Sequence, residues 1–69
     1  MSWQTSVFSS NVSEIGYDDE DGEMIVVWNS GKSSGYKCPE DVALQASKAP
    51  SVGQFLNTEV KPFYAHRYR

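Results

Sequence analysis

The chain has 69 residues and a formal net charge of −3, with 39% hydrophobic and 13% aromatic residues. This length supports one hydrophobic core and excludes a multidomain protein, and the composition is too apolar for a disordered chain. The single cysteine, Cys38, excludes an internal disulfide and a cysteine-based metal site. The chain begins without the basic and apolar runs of a signal peptide, and its apolar stretches are too short to span a membrane. We therefore expect one cytoplasmic domain over residues 1–69 with no membrane partner.

The charged residues are unevenly spread along the chain. Six of the nine acidic residues fall between Glu14 and Glu23, whereas Lys61, Arg67 and Arg69 lie in the last nine residues without an acid among them. This asymmetry predicts an acidic end and a basic end of the molecule. The alternative is that both segments are ordinary solvated surface.

The first half of the chain predicts an antiparallel meander. Residues 24–28 are apolar at every position and rich in β-branched side chains, which favours a central strand that is covered on both faces or lies at a dimer interface. Turns are predicted at residues 18–22 and 29–32, where acidic residues, asparagine and glycine cluster. The remaining predicted strands are residues 12–17 and 33–38, with an edge strand over residues 3–8.

The second half changes to a helical period. Pro39 suits a first helical position, and Val42, Ala46 and Ala49 predict the buried face of a helix that ends before Pro50. Ser51 and Gln54 match a capping box, which predicts a second helix to about Lys61.

Pro62 ends the second helix and leaves residues 62–69 as an extended basic and aromatic segment. The predicted fold class is therefore α+β, a small antiparallel β-meander of three to four strands followed by two short helices.

Several short motifs occur in the order typical of one family. They are Ser9-Ser10-Asn11-Val12, Ile15-Gly16-Tyr17-Asp18, Tyr36 at the end of a hairpin, the stretch from Ala49 to Asn57, and a closing Tyr64 with Arg67. In these residues, from about Val7 to Arg69, the chain resembles the KTSC domain. That family takes its name from the C-terminal domain of some lysyl-tRNA synthetases and includes free-standing small proteins of bacteria and phages.

The resemblance implies the fold more strongly than it implies a ligand. The synthetase association implies only a nucleic-acid setting. The family's central Tyr-x-Tyr motif is altered, because Tyr36-Lys37-Cys38 has cysteine in place of the second tyrosine. A function that depends on the second phenol is therefore in doubt.

The residue patterns favour no catalytic residue, metal site or cofactor. Aligning Gly22 with the glycine of an EF-hand loop places Tyr17 and Trp28 at positions that need oxygen ligands. His66 has no local partner for a metal site or for general base catalysis. Cys38 with His66 is the one conceivable nucleophilic pair, but a free cysteine on a strand is more often a small buried hydrophobic residue. We expect a protein that is not an enzyme.

The C-terminal segment is the first candidate binding site. Its aromatic and basic residues offer stacking faces beside cations, which is the chemistry that single-stranded nucleic acid or a nucleotide uses. Three basic groups neutralise few phosphates, and Tyr64 could instead cover the sheet. The candidate nucleic-acid or nucleotide residues are Tyr64, His66, Arg67, Tyr68 and Arg69.

A protein interface is the second candidate. Trp3 and Phe8 are large apolar residues near the start of the chain, and so small a domain has limited room to bury them. The preferred hypothesis is a non-catalytic binding module that contacts a protein partner or a second copy of itself through the sheet and its aromatic residues. The alternative is nucleic-acid or nucleotide binding through the C-terminal segment.

Overall fold

A computed structural model describes residues 2–69 as a five-stranded antiparallel sheet with helices packed on one face. The strands lie in sequence order across the sheet, so that each one is hydrogen-bonded to the next. Their bounds are β1 Trp3–Ser6, β2 Val12–Asp18, β3 Glu23–Trp28, β4 Ser33–Lys37 and β5 His66–Tyr68. Helix α1 spans Glu40–Lys48, and α2 spans Val52–Phe55 and continues as a π-helical turn over Leu56–Val60. The predicted α+β class is confirmed, and four strands precede the helices as predicted, but a fifth strand follows the helices.

Strand β3 is the central strand, as its β-branched sequence predicts. Its register pairs Val26 with Ile15 of β2 on one side and with Ser34 of β4 on the other. The hairpins on either side of β3 turn at Gly22 and Gly31, whose φ angles of 68° and 91° lie in the left-handed region that glycine adopts at little cost. The two predicted turns therefore fall where the sequence indicates them.

The hydrophobic core lies between one face of the sheet and the helices. Because side chains alternate between the two faces of a strand, this helix-facing side receives every second residue of β2 and β3. Its buried members from the strands include Ile15, Tyr17, Met24 and Val26. The other face of β3 carries Ile25 and Val27, which are only half-buried.

The helices differ from their predictions in detail. Ala43 and Ala46 are the buried residues of α1. Ala46 was predicted on the buried face, whereas Val42, also predicted there, is only half-buried at the margin of the core. The alanines allow α1 to approach β2 and β3 closely. The predicted cap of the second helix is present, because the Ser51 hydroxyl accepts a hydrogen bond from the Gln54 amide at 3.4 Å.

The C-terminal segment corrects two sequence expectations. It does not remain an extended tail beyond the second helix, since residues 66–68 return to pair with β4 as a fifth strand. It also does not form a basic end separate from the acidic residues. Pairing with β4 places Arg67 and Arg69 beside the acidic turn after β2, where both arginines form ion pairs. None of the helices within residues 2–69 has the length and apolar character needed to cross a membrane.

Candidate functional site

Strand β5 sorts the C-terminal side chains onto two faces of the sheet. His66 and Tyr68 pair with Tyr36 and Ser34 in the register, so all four residues share the helix-facing side. Arg67 pairs with Gly35 and therefore lies on the opposite face. The sequence interleaves aromatic and basic residues in this segment, and the strand separates the two kinds.

The aromatic residues of β5 complete an open cleft on the helix-facing side, beyond the last turn of the second helix. Its volume is about 390 Å³. The rings of Tyr36 and His66 are tilted by 36° with centroids 4.9 Å apart, and the rings of His66 and Tyr68 meet edge to face at the same distance. We call this feature the aromatic cleft, and it is lined by Trp28, Ser34, Tyr36, Lys61, His66 and Tyr68.

Two contacts hold the Trp28 ring, which forms one wall of the aromatic cleft. The indole N–H of Trp28 donates to the Ser34 hydroxyl at 2.9 Å, which fixes the ring across two strands. The Nζ atom of Lys61 lies 5.7 Å from the centroid of the same ring, within the range of a cation–π contact.

Burial raises the pKa of the Tyr36 phenol, and Tyr68 adds to the effect. Tyr36 is therefore a neutral hydrogen-bonding group at physiological pH.

The charge lining the aromatic cleft is of one sign. Lys61 is the one lysine or arginine among its six lining residues, and no Asp or Glu side chain is among them. This is notable in a chain with a net charge of −3. The cleft therefore combines ring faces, hydrogen-bonding groups and a cation, which together fit a planar ligand that carries negative charge.

The arginines of the C-terminal segment form a separate ion-pair cluster on the opposite face. Its centre is Glu23, whose carboxylate is only 3% exposed and accepts from Arg67 Nε at 2.9 Å and from Arg69 Nη1 at 2.9 Å. Asp18 accepts from Arg69 Nη2 at 3.1 Å, and Asp21 accepts from Arg67 Nη2 at 3.2 Å. With three carboxylates on two guanidinium groups, the cluster leaves both arginines neutralised.

These ion pairs shift the acid–base properties of the carboxylates. The hydrogen bond from Arg67 lowers the pKa of Glu23 against the opposing effect of burial, and the one from Arg69 lowers the pKa of Asp18. Gly35 makes room for the cluster, because a Cβ atom there would lie 2.8 Å from Glu23 Oε1 and 3.0 Å from Arg69 Cδ. Gly35 lies on β4, within the strand predicted over residues 33–38, and beneath charged side chains.

The five predicted C-terminal residues therefore lie in three different environments. His66 and Tyr68 line the aromatic cleft, Arg67 and Arg69 belong to the ion-pair cluster, and Tyr64 packs half-buried against the core. Sequence reasoning missed the other cleft residues, Trp28, Ser34, Tyr36 and Lys61. The signal for two of them was present, because Trp28 and Tyr36 fall on one face once the hairpin register is known.

The two residues predicted for a protein interface also lie in different environments. The indole N–H of Trp3 donates to Glu40 Oε2 at 2.8 Å, and the ring packs half-buried against the core. Phe8, in the loop between β1 and β2, is fully exposed at 102%. Phe8 alone of the two therefore offers a free apolar surface.

Cys38, the candidate nucleophile of the sequence, lies in a buried position. Burial raises the pKa of its thiol, so the reactive thiolate is disfavoured. The backbone carbonyl of Cys38 accepts a hydrogen bond from the Tyr17 hydroxyl at 2.9 Å. Among residues 2–69, no three His, Cys, Asp or Glu side chains are grouped so that they could hold a metal ion.

A second, polar cleft brings together two of the sequence motifs. The Ser9 hydroxyl accepts hydrogen bonds from the amides of Asn11 and Val12 at 3.3 and 3.4 Å, which gives Ser9 a structural role at the start of β2. Side chains of this loop face the beginning of the second helix, where Ser51, Gly53 and Asn57 lie. The polar cleft has a volume of about 380 Å³, and no charged side chain lines it.

Comparison with known proteins agrees with this architecture. The KTSC domain family model matches residues 8–64, which includes both motifs of the polar cleft and ends before β5. The crystal structure of a KTSC domain protein from Yersinia pestis has the same fold, with a TM-score of 0.85 and 23% sequence identity over 100% of this chain and 99% of the other. No curated protein matches the sequence. The chain belongs to the KTSC domain family.

Proposed function

We propose that the protein is a non-catalytic binding module that holds the base and phosphate of a nucleotide unit in the aromatic cleft. The observation that carries the proposal is the convergence of four ring systems and Lys61 on one cleft that no acidic side chain lines. Every nucleobase has a π-face, so aromatic side chains bind bases of any sequence by stacking. A lysine ammonium group is a suitable partner for phosphate.

The placement of the cations supports the cleft over the C-terminal segment as a whole. Arg67 and Arg69 are held by carboxylates on the opposite face, so they are poor partners for phosphate. Lys61 belongs to no such ion pair among the described residues, and its ammonium group stands over the Trp28 ring. The proposed site therefore uses His66 and Tyr68 from the segment and takes its charge from the second helix.

Intrinsic fluorescence provides a direct test. Replacing Trp3 by phenylalanine leaves Trp28 as the only tryptophan, because the chain has two, and a base that stacks on Trp28 quenches its emission. Stacking is worth about 1–3 kcal/mol per base, and a Kd of about 1 mM corresponds to about 4.1 kcal/mol. We therefore expect saturable quenching by AMP or UMP at low ionic strength with a Kd above about 1 mM.

Variants locate the binding in the aromatic cleft. Tyr68→Ala in the Trp3→Phe background should weaken the binding of AMP, whereas Phe63→Ala removes an exposed aromatic residue outside the cleft and should leave it unchanged. Linear, unsaturable quenching by AMP and UMP would contradict the proposal. Equal loss of binding in both variants would place the ligand elsewhere and would also contradict it.

A protein partner is the second candidate function, and full exposure of Phe8 is the observation that favours it. Single exposed apolar residues are common on monomeric proteins, so this observation is weaker than a formed cleft. Capture of a defined partner by the protein, lost in Phe8→Ser and retained in Tyr68→Ala, would support this candidate. Retention in both variants would oppose a Phe8 interface.

A further inference from the structure

A second depression adjoins the aromatic cleft at the turn between β3 and β4. It has a volume of about 420 Å³ and is lined by Gly31, Lys32, Ser33, Tyr68 and Arg69. We call it the hairpin depression. Tyr68 lines both features and is 78% exposed, so one accessible ring forms the boundary between them.

The two features share Tyr68 and together present alternating cationic and aromatic groups, a surface that we call the track. Lys61 stands at the Trp28 side of the aromatic cleft, Tyr68 lies in the middle, and Lys32 lies in the hairpin depression. No Asp or Glu side chain lines either feature. Arg69 belongs to the ion-pair cluster, so Lys32 is the lysine that supplies cationic charge in the hairpin depression.

The backbone of the acidic turn lies at the far end of β3 from this track. The turn that contains Asp18 to Asp21 precedes β3, whereas Lys32 and Trp28 lie at the other end of the same strand. Six residues of strand span roughly 20 Å at about 3.3 Å per residue, which is the backbone separation of the two turns. Arg69 bridges this separation, because it lines the hairpin depression and its guanidinium group contacts Asp18 at 3.1 Å and Glu23 at 2.9 Å. The carboxylates that approach the track are therefore paired with a cation.

Building on the proposed function, we infer that the ligand is a segment of single-stranded nucleic acid that crosses Tyr68, with one phosphate near Lys61 and another near Lys32. A single nucleotide fills only the aromatic cleft. A strand adds a second phosphate contact and a second base position against the exposed ring of Tyr68. Paired bases cannot stack on these rings, so a duplex lacks this mode of binding.

Length and salt dependence test the inference. A uridine hexanucleotide and a thymidine hexanucleotide, titrated separately against the Trp3→Phe protein, should each bind at least about 5-fold more tightly than UMP, since one added base stack contributes about 1–3 kcal/mol. For single strands the logarithm of the association constant falls with log salt by about 0.7 per neutralised phosphate. We therefore expect a slope of about −1.4 for two lysine contacts.

Two lysine variants give matched controls. Lys32→Gln should reduce the salt slope by about 0.7 for the hexanucleotides and leave UMP binding unchanged. Lys48→Gln makes the same change in net charge at the end of α1, outside both features, and should leave the slope unchanged. A preference for the uridine over the thymidine strand would assign the track to RNA, and the reverse preference would assign it to DNA.

The failures of the two proposals are distinguishable. UMP binding in the cleft with no gain for the hexanucleotides, or a silent Lys32→Gln, would overturn this inference and leave the proposed function intact. Absence of binding by UMP and both hexanucleotides would remove both. Displacement of the hexanucleotide by a Glu-Tyr-Glu peptide at equal concentration would reassign the track to an acidic protein segment and overturn the inference.

Discussion

The side chains of His66 and Arg67 project from β5 on opposite faces of the sheet. His66 contacts an aromatic ring, and Arg67 contacts an acidic side chain. The His66 ring lies 4.9 Å from the Tyr36 ring on the helix-facing side, while Arg67 donates to Glu23 on the other face. A three-residue strand thus completes an aromatic cleft and closes an ion-pair cluster at once. The cluster holds β5 in the register that the cleft requires, so we expect changes on one face to affect the other.

Glu23→Gln should flatten the acid dependence of stability. The pKa of Glu23 is lowered in the folded protein, chiefly by its hydrogen bond with Arg67, so this carboxylate stabilises the fold above its unfolded pKa. That contribution is lost as the pH falls from about 4.3, the usual glutamate value, through the lower folded pKa. Urea unfolding followed between pH 5 and pH 3 should therefore give a smaller decrease for the variant than for the unaltered protein.

Glu59→Gln is the matched control for this measurement, since it makes the same change in charge at an exposed position of the second helix. It should retain the steep acid dependence of the unaltered protein. Parallel curves for Glu23→Gln and the unaltered protein would show that the Glu23 carboxylate contributes nothing in this pH range.

Gly16→Ala should destabilise the protein, whereas Gly53→Ala should not. A Cβ atom at Gly16 would lie 2.8 Å from the backbone oxygen of Trp3, so β1 would have to move. Overpacking of this kind costs typically 1–3 kcal/mol. At Gly53 the nearest atom is Asn11 Nδ2 at 3.9 Å, and alanine in a helix is favoured over glycine by up to about 1 kcal/mol. Equal midpoints of urea unfolding for the two variants would contradict the close approach of β1 to β2.

Most of the fold follows from local patterns in the sequence. The β-branched run of β3, the glycines of its two turns and the serine cap of the second helix each determine structure within a few residues. The fifth strand could not be predicted in this way, because its stability comes from residues far away in sequence. Arg67 meets Glu23 across 44 positions and Arg69 meets Asp18 across 51.

The candidate site was only partly predictable for the same reason. The aromatic residues of the C-terminal segment were identified by their type, and the separation of His66 from Arg67 required knowledge that the segment is a strand. Lys61 lies on the second helix, and only tertiary packing places it over Trp28. The resemblance to the KTSC family predicted the fold correctly, but the family match ends at Tyr64, before the residues that complete the aromatic cleft.

Cys38 should react slowly with iodoacetamide in the folded protein. Its side chain is buried and burial raises the pKa of the thiol, so both access and thiolate formation are disfavoured. A domain with about 3 kcal/mol of stability would protect the thiol roughly 100-fold relative to the unfolded chain. Mass spectrometry of samples with and without urea measures this ratio. Ser10→Cys combined with Cys38→Ala provides an exposed thiol, and equal native rates for the two thiols would contradict burial of Cys38.

Tyr17→Phe should cost more stability than Tyr68→Phe, although both changes remove one hydroxyl. The Tyr17 hydroxyl is buried and donates to the backbone oxygen of Cys38, which links β2 to the corner between β4 and α1. Its loss leaves a buried carbonyl without that donor, at a cost of about 1–3 kcal/mol. For a domain of this size each kcal/mol lowers the Tm by about 4–8 °C.

Tyr68 is 78% exposed, so the loss of its hydroxyl should change stability by less than about 0.5 kcal/mol. The phenylalanine ring still borders the aromatic cleft, so Tyr68→Phe should retain base stacking where Tyr68→Ala loses it. Thermal unfolding and the AMP titration therefore separate the two tyrosines by role. A Tyr17→Phe protein with an unchanged Tm would contradict the hydrogen bond that closes the corner, because the phenylalanine ring occupies the same space.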